Sequence, residues 1–213
     1  MSNWFDLYRS IKERYGDEPE HKLIEYIDFI EKGKILDLGV GCGRNSLFLS
    51  ELGFEVEAID ISEKNISNYL AKAKTLKLDV KASNIDIRDF DIIENEYSLI
   101  IVSWVLNFFK KDEIDLIISK IKKGLKPNGV VYFAIFSILD DYYIKNLDKS
   151  CDEKNTLYLQ EHNCYRYYYT DSGEVLELFK DLETISLSTG MILDIDKEIG
   201  NHYHHIIEYL GRK

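Results

Sequence analysis

The stretch Lys34–Ser46, KILDLGVGCGRNS, constrains this chain more than any other. An apolar run ends in Asp37. Glycines follow at alternate positions, Gly39, Gly41 and Gly43, and a helical pattern begins after them. A second apolar run, Phe54 to Ile61, carries Asp60 near its end. This order predicts a strand, a loop whose backbone a ligand can approach, a helix, and a carboxylate at the tip of the next strand. It points to a cofactor that bears a nucleoside.

The 213 residues are enough for one domain with a substantial core, and 45 % of them are apolar, a globular composition. Two prolines and no low-complexity tract leave no evident linker, so residues 1–213 are expected to form a single unit. Met1–Tyr15 is amphipathic and lacks the apolar centre of a signal peptide. No run approaches the ~20 apolar residues that span a bilayer. The composition therefore predicts a soluble, cytoplasmic protein with no membrane partner. Its formal charge of −11 disfavours nucleic acid, because an acidic surface repels phosphate. The three cysteines, Cys42, Cys151 and Cys164, have no zinc-type spacing and read as reduced thiols.

Along the chain, helical spacing predicts helices over Asn3–Tyr15 and Glu20–Glu31, the N-terminal helices of residues 1–32. Lys34–Val40 is apolar throughout, as a central parallel strand is. A helix over Arg44–Leu52, a strand over Phe54–Ile61 and a helix from an N-cap at Ser62 to about Lys77 follow. Val80–Ile87 and Tyr97–Leu106 read as strands. Asp112–Leu125 is the clearest helix, with Ile114, Ile117, Ile118, Ile121 and Leu125 in one stripe. Lys126–Gly129 reads as a turn, Val130–Ser137 as a strand, and Asp140–Tyr169 as irregular. A helix over Asp171–Asp181 precedes strands over Thr184–Ile195 and Tyr203–Leu210, joined near Gly200. A terminal hairpin after alternating β and α units implies an antiparallel strand in an otherwise parallel sheet.

Three cofactor readings compete for the loop. A dinucleotide site wants G-x-G-x-x-G, and the spacing Gly39-x-Gly41-x-Gly43 lacks the last offset, which weakens a nicotinamide-dependent oxidoreductase. A phosphate-binding P-loop wants Lys-Ser/Thr after its last glycine, and Arg44-Asn45 stands there instead. The third ligand is S-adenosylmethionine, whose amino-acid end and ribose lie close to a loop that glycines keep clear. In the stretch ILDLGVGCGRNSLFLS, Ile35–Ser50, the chain resembles the class I S-adenosylmethionine-dependent methyltransferases, and among them the tellurite-resistance, TehB-like group. The resemblance extends through Asp60, Asp86-Ile87-Arg88-Asp89-Phe90, Ser103-Trp104-Val105-Leu106, Leu125–Gly129 and the ending Leu210-Gly211-Arg212-Lys213. It implies an α/β, Rossmann-like fold: a seven-stranded mixed sheet with an antiparallel C-terminal hairpin strand and helices on both faces.

The resemblance also implies roles. Asp37 and the carbonyls around Gly39, Gly41 and Gly43 would hold the cofactor's ammonium, Asp60 its ribose hydroxyls, and Asp86 its adenine amino group. Ile61 and Ile87 would sandwich the ring, and Ser103 would line the methionine portion. Methyl transfer from a sulfonium has a neutral leaving group and needs alignment more than an acid or base. No nucleophile elbow is present, which fits.

Methyltransferases that act on adenine or glutamine amino groups carry an Asn/Asp-Pro-Pro-aromatic turn after the fourth strand. Val105-Leu106-Asn107-Phe108-Phe109 stands there instead, so a small-molecule acceptor is expected: a metalloid oxyanion, a thiol or another small nucleophile. Candidate substrate residues lie in residues 140–169, read as a lid over the sheet edge or as a packed aromatic cluster. They include Tyr142, Tyr143, His162, Cys164, Arg166, Tyr167 and Tyr168. A second group is His202-Tyr203-His204-His205, where alternation puts His202 and His204 on one face and Tyr203 and His205 on the other. His204, His205 and Arg44 are the candidate catalytic residues, and Tyr142, Arg166, Tyr168 and His202 the candidate substrate contacts. The His-x-His spacing suits a metal, but no third ligand is evident, so no metal is expected. A cofactor-binding module without catalysis is the rival reading.

Overall fold

The structure is a computed structural model that describes residues 19–160, 163–196 and 200–213. The helix expected over Asn3–Tyr15 and His162 lie outside the described residues. The first strands are β1 (Lys34–Leu38), β2 (Glu55–Asp60), β3 (Val80–Asn84), β4 (Tyr97–Ser103) and β5 (Leu125–Phe136). A small hairpin, β6 (Thr156–Leu159) and β7 (Cys164–Tyr167), precedes the long final strands β8 (Glu183–Asp196) and β9 (Gly200–Arg212). Seven of these form one sheet of order β3-β2-β1-β4-β5-β9-β8. The first five run parallel, and β9 is antiparallel to both β5 and β8. This is the mixed sheet the sequence predicts.

The helices are α1 (His21–Glu25), α2 (Arg44–Glu51), α3 (Glu63–Leu76), α4 (Lys111–Gly124), α5 (Asp141–Lys145) and α6 (Ser172–Leu178). Alternation along the strands divides the core. Leu36, Ile100, Val102, Val131 and Phe133 face one side, where Ile114, Ile117, Ile118 and Ile121 of α4 and Val175 of α6 meet them. Ile35, Val56, Leu99, Ile101 and Tyr132 face the other, against Leu23 of α1 and Leu49 of α2. Burying each such isoleucine or leucine contributes about 1.5–3 kcal/mol. The α4 stripe is one-sided: Ile117 and Ile118 are 2 % exposed while Leu116 is 69 % exposed. Glu113 caps its start by accepting the Lys110 amide at 2.9 Å.

Four departures from the expected elements have physical causes. The helix expected over Glu20–Glu31 is two short pieces, α1 and a 3₁₀ turn at Ile27–Phe29, because neither has a side-chain cap and a single turn has little stability of its own. Lys126–Gly129 is an excursion within β5 rather than a turn before it. The β4–β5 register jumps from Tyr97↔Leu125 to Leu99↔Val130, and the looped-out residues pair with the chain end, Asn128 N–H to the Lys213 carbonyl at 3.1 Å. The strand expected to run to Leu106 ends at Ser103, and a 3₁₀ turn over Leu106–Phe108 follows. Residues 140–169 hold α5 and the β6–β7 hairpin, and their aromatics Tyr167, Tyr168 and Tyr169 are buried in the larger apolar cluster. Asn107 fastens this segment to the sheet, donating to the Tyr167 carbonyl at 2.6 Å and accepting the Phe136 amide at 3.2 Å. The segment is thus fastened to the end of β5 and joins the core. Among the described residues no helix is long and apolar enough to cross a membrane.

Candidate active site

The glycine loop leaves β1 with Gly39, Gly41 and Gly43 all at positive φ, 80°, 55° and 81°. The amides of Gly39 and Val40 both donate to the Ile59 carbonyl at 2.9 Å, which fixes the loop against β2. The Asp60 carboxylate at the tip of β2 accepts the Gly41 amide at 2.9 Å and the Ser62 amide at 2.8 Å, with the Asn65 side chain at 3.3 Å. Burial pushes its carboxyl up, and these donors oppose that. Ser62 caps α3 as expected, accepting the Asn65 amide.

A cleft opens at the C-terminal ends of the parallel strands, where ligands bind in open α/β sheets. Gly39, Asp60, Ile61, Asp86 and Ile87 line one part of it, and Arg88, Val105, Phe108 and Phe109 the rest. Five of the residues expected to hold a cofactor therefore meet in one place. Two carboxylates and two isoleucines around a glycine backbone suit an adenosine: acceptors for hydroxyls and amine, apolar walls for the ring. Ile61 is 40 % exposed at the mouth, an apolar side chain left open to a partner. A Cβ at Gly39 would stand 2.8 Å from Val105 Cγ2, so only glycine leaves the loop and the far wall as they are.

Asp37, Gly41, Gly43 and Ser103 are outside this lining. Asp37 is buried and accepts from Ser46 Oγ at 2.5 Å; burial pushes its carboxyl up to about 7, against the Ser46 hydrogen bond. Ser103 Oγ donates to Glu20 at 2.9 Å, as Trp104 Nε1 does at 2.5 Å and Arg44 does through its guanidinium. Arg44, expected beside a ligand, is thus paired to a carboxylate of the N-terminal segment. Asp86 is held by Arg88, Nε to Oδ1 at 3.0 Å and Nη2 to Oδ2 at 2.6 Å. Burial raises the Asp86 carboxyl, but the Arg88 hydrogen bonds and charge outweigh it and leave it below the usual carboxylate range. Glu20 and Arg88 are site residues that sequence reasoning missed. The Asp86-x-Arg88 spacing is the one signal that could have found the latter.

Deeper along the edge, Arg166 is 6 % exposed, and its guanidinium carbon lies 5.0 Å from the Phe136 ring, 5.1 Å from Tyr142, 5.3 Å from Tyr168 and 5.8 Å from Phe108. Phe108 is shared between this cage and the cleft. Tyr142, Arg166 and Tyr168 are therefore brought together. His205 Nδ1 lies 2.7 Å from Ser137 Oγ just beyond β5. His204 Nδ1 lies 2.6 Å from Asp140 Oδ2, and its Nε2 is 3.1 Å from His202 Nε2, so the expected division of faces holds. Asp194 of β8 stands beside both histidines, a carboxylate that the His-x-His reading lacked.

Residues 8–185 match the family model described as tellurite resistance protein TehB. The chain is 30 % identical over 175 residues to haemagglutinin 1 of Eikenella corrodens, covering 82 % of this chain and 54 % of that one. It is 32 % identical over 119 residues to the probable S-adenosyl-L-methionine-dependent methyltransferase TehB of Haemophilus influenzae, covering 56 % of this chain and 41 % of that one. The chain thus spans about half the length of the curated relatives it matches. The crystal structure of TehB from Haemophilus influenzae superposes with a TM-score of 0.72 at 23 % identity, over 91 % of this chain and 62 % of that one. That likeness extends to the fold.

Proposed function

The chain belongs to the tellurite resistance protein TehB family, and on that premise we propose that it is an S-adenosylmethionine-dependent methyltransferase acting on a small nucleophile. The observation that carries this reading is the cleft where Gly39, Asp60, Ile61, Asp86 and Ile87 converge. In it Asp60 would accept from the ribose hydroxyls, Ile61 and Ile87 would flank the adenine, and Asp86, kept ionised by Arg88, would accept from its amino group. Asp37 lies behind the loop, where an ammonium would favour its charged form. S-adenosylmethionine, when bound, supplies a methyl on a sulfonium. The protein's part is to bind it, align the acceptor in line and exclude water, which is worth several kcal/mol. An anionic acceptor loses charge in the transition state, so no catalytic base is required.

The acceptor side is formed by Phe108, Phe109 and the caged Arg166, with His205 on the same edge. A buried guanidinium beside aromatic walls favours a small anion such as a metalloid oxyanion or a thiolate over a bulky polymer. The acidic chain and the Val105–Phe109 turn, which lacks the Pro-Pro motif, support the same class.

Calorimetric titration with S-adenosylmethionine and S-adenosylhomocysteine, with Asp60→Ala as control, tests the cofactor. We expect saturable binding that the substitution weakens strongly. An acceptor screen across metalloid oxyanions, thiols and amines then tests the chemistry. Binding without turnover on any acceptor would favour a non-catalytic module, and no binding at millimolar ligand would overturn the reading.

A further inference from the structure

We propose that Asp194, His202 and His204 form a site for one divalent transition-metal ion, with zinc the best match. The β8–β9 register creates the cluster. Asp194 is directly opposite His202, and Ile192 is opposite His204, so the three side chains share one face of the hairpin. Their ligand atoms converge. Nε2 of His202 and Nε2 of His204 are 3.1 Å apart, and Asp194 Oδ2 is 3.6 Å and 3.8 Å from them. A tetrahedral ion with bonds of about 2.0–2.2 Å holds its ligands roughly 3.3–3.6 Å apart. The sides of the triangle bracket that size and need to shift by only about 0.2 Å to match it.

The hydrogen bonds around the cluster decide which atoms face into it. His204 Nδ1 is 2.6 Å from Asp140 Oδ2, and His202 Nδ1 is 3.0 Å from the Gly200 carbonyl. Both partners are acceptors only, so each Nδ1 donates outward and Nε2 is the ring atom left to face the cluster as a ligand. Asp194 Oδ2, in a side chain 7 % exposed, has no hydrogen-bond donor among the described residues. Nε2 of both rings and the unpartnered Asp194 Oδ2 thus converge on one point, where a cation would satisfy the carboxylate oxygen. Two imidazoles and a carboxylate are the donor set that a borderline divalent ion takes.

The outer shell fits as well. Asp140 is fully buried, accepts the Tyr142 amide at 2.9 Å through its other oxygen, and so fixes the ring of His204. A carboxylate behind a ligating histidine is the usual second layer of a metal site. His202 is 15 % exposed, so the cluster opens on its side, and three protein ligands leave a position for water or a substrate atom. The site sits on the cleft's edge of the sheet. The His204 ring is 4.8 Å from Phe136, the last residue of β5, which also packs on Arg166. The inference rests on the hairpin alone and does not depend on methyl transfer.

The test uses the full chain, stripped with chelator, and titrated with zinc in competition with a chromophoric chelator. We expect one equivalent bound, with affinity reduced about 100-fold or more in His202→Asn and Asp194→Asn and about 10-fold in Asp140→Asn. Zinc at a hundredfold excess over Kd should raise the Tm by about 5–10 °C. Cobalt(II) gives a second readout that needs no variant: visible bands of a four-coordinate nitrogen and oxygen site, without thiolate charge transfer. No stoichiometric binding at micromolar free zinc overturns the proposal and leaves a shared proton between the imidazoles. Thiolate bands, or equal binding by folded His202→Asn and wild type, overturn it by placing the metal at the cysteines or elsewhere.

Discussion

The Asp60 carboxylate accepts the Gly41 amide at 2.9 Å, and this bond ties the tip of β2 to the loop leaving β1. One side chain therefore shapes the loop and presents oxygens to the cleft. Asp60→Ala removes both functions. We expect S-adenosylmethionine affinity to fall about 10- to 100-fold, since each hydrogen bond to a charged group is worth about 1.5–3 kcal/mol. Asp60→Asn keeps one acceptor oxygen and should lose less. Calorimetry on the two variants separates them, and equal affinities for Asp60→Ala and wild type would remove Asp60 from the site.

Gly43 is confined by Tyr69. A Cβ there would lie 2.2 Å from Tyr69 Cδ2, and Tyr69 is fully buried beneath the loop. Gly43→Ala must move that ring and hold an alanine at φ 81°, a cost of about 2–4 kcal/mol. Gly53 has a similar φ of 86° but nothing within 4 Å, so Gly53→Ala should cost only about 1 kcal/mol. Urea unfolding of both variants checks the difference. Equal losses would mean that backbone conformation alone matters at Gly43.

What the sequence made legible was local or set by strand order. Gly39, Asp60, Ile61, Asp86 and Ile87 sit at strand ends, and strand ends of a parallel sheet share one edge. The alternation of His202 and His204 needed only the period of a strand. Asp194 was not legible, because its place depends on the β8–β9 register, and a slip of one residue would turn it to the other face. Glu20 was hidden for a similar reason: it reaches Arg44, Ser103 and Trp104 through a contact that no periodicity encodes. The small β6–β7 hairpin was masked by the crowding of Tyr165, Tyr167, Tyr168 and Tyr169 into one short stretch, which erases the alternation that marks a strand.

Asp37 should make both stability and cofactor affinity depend on pH. Burial lifts its carboxyl from 3.8 to about 7 in the folded protein. The folded state then binds the proton more tightly than the unfolded chain, so this contribution to stability is full below about pH 4 and is lost as pH rises through 7. An ammonium beside Asp37 reverses the preference and releases the proton. Affinity for S-adenosylhomocysteine should therefore rise from about pH 5.5 towards 7, below the range where an α-amino group loses its charge. Calorimetry in buffers of different ionisation enthalpy reads the released proton, and Asp37→Asn should flatten the profile. A wild-type affinity constant across that range would show that the ammonium binds elsewhere.

Glu20 and Arg44 form an ion pair whose side chains are only 12 % and 15 % exposed. Glu20 also takes the Ser103 hydroxyl and the Trp104 indole, so it holds the start of α2 against the tip of β4. Truncating Glu20 alone leaves a largely buried guanidinium with less compensation. A double-mutant cycle over Glu20→Ala and Arg44→Leu should give a coupling of about 1–3 kcal/mol, with the two single costs summing to more than the cost of the double variant. A coupling near zero in thermal unfolding would make the contact a solvated surface pair.

Arg166 tests the acceptor side. Its guanidinium is stacked among Phe108, Phe136, Tyr142 and Tyr168, where a planar delocalised cation fits and a compact ammonium does not. Arg166→Lys keeps the charge but loses the forked donors and the stacking. For an anionic acceptor found in the screen, we expect KM to rise about 10- to 100-fold with S-adenosylmethionine affinity unchanged. For a neutral amine acceptor the same variant should act only through packing, seen as a lower Tm with little change in KM. Loss of cofactor affinity together with acceptor KM would instead assign Arg166 to the wall of the cleft, through Phe108, and leave the acceptor's charge to other residues.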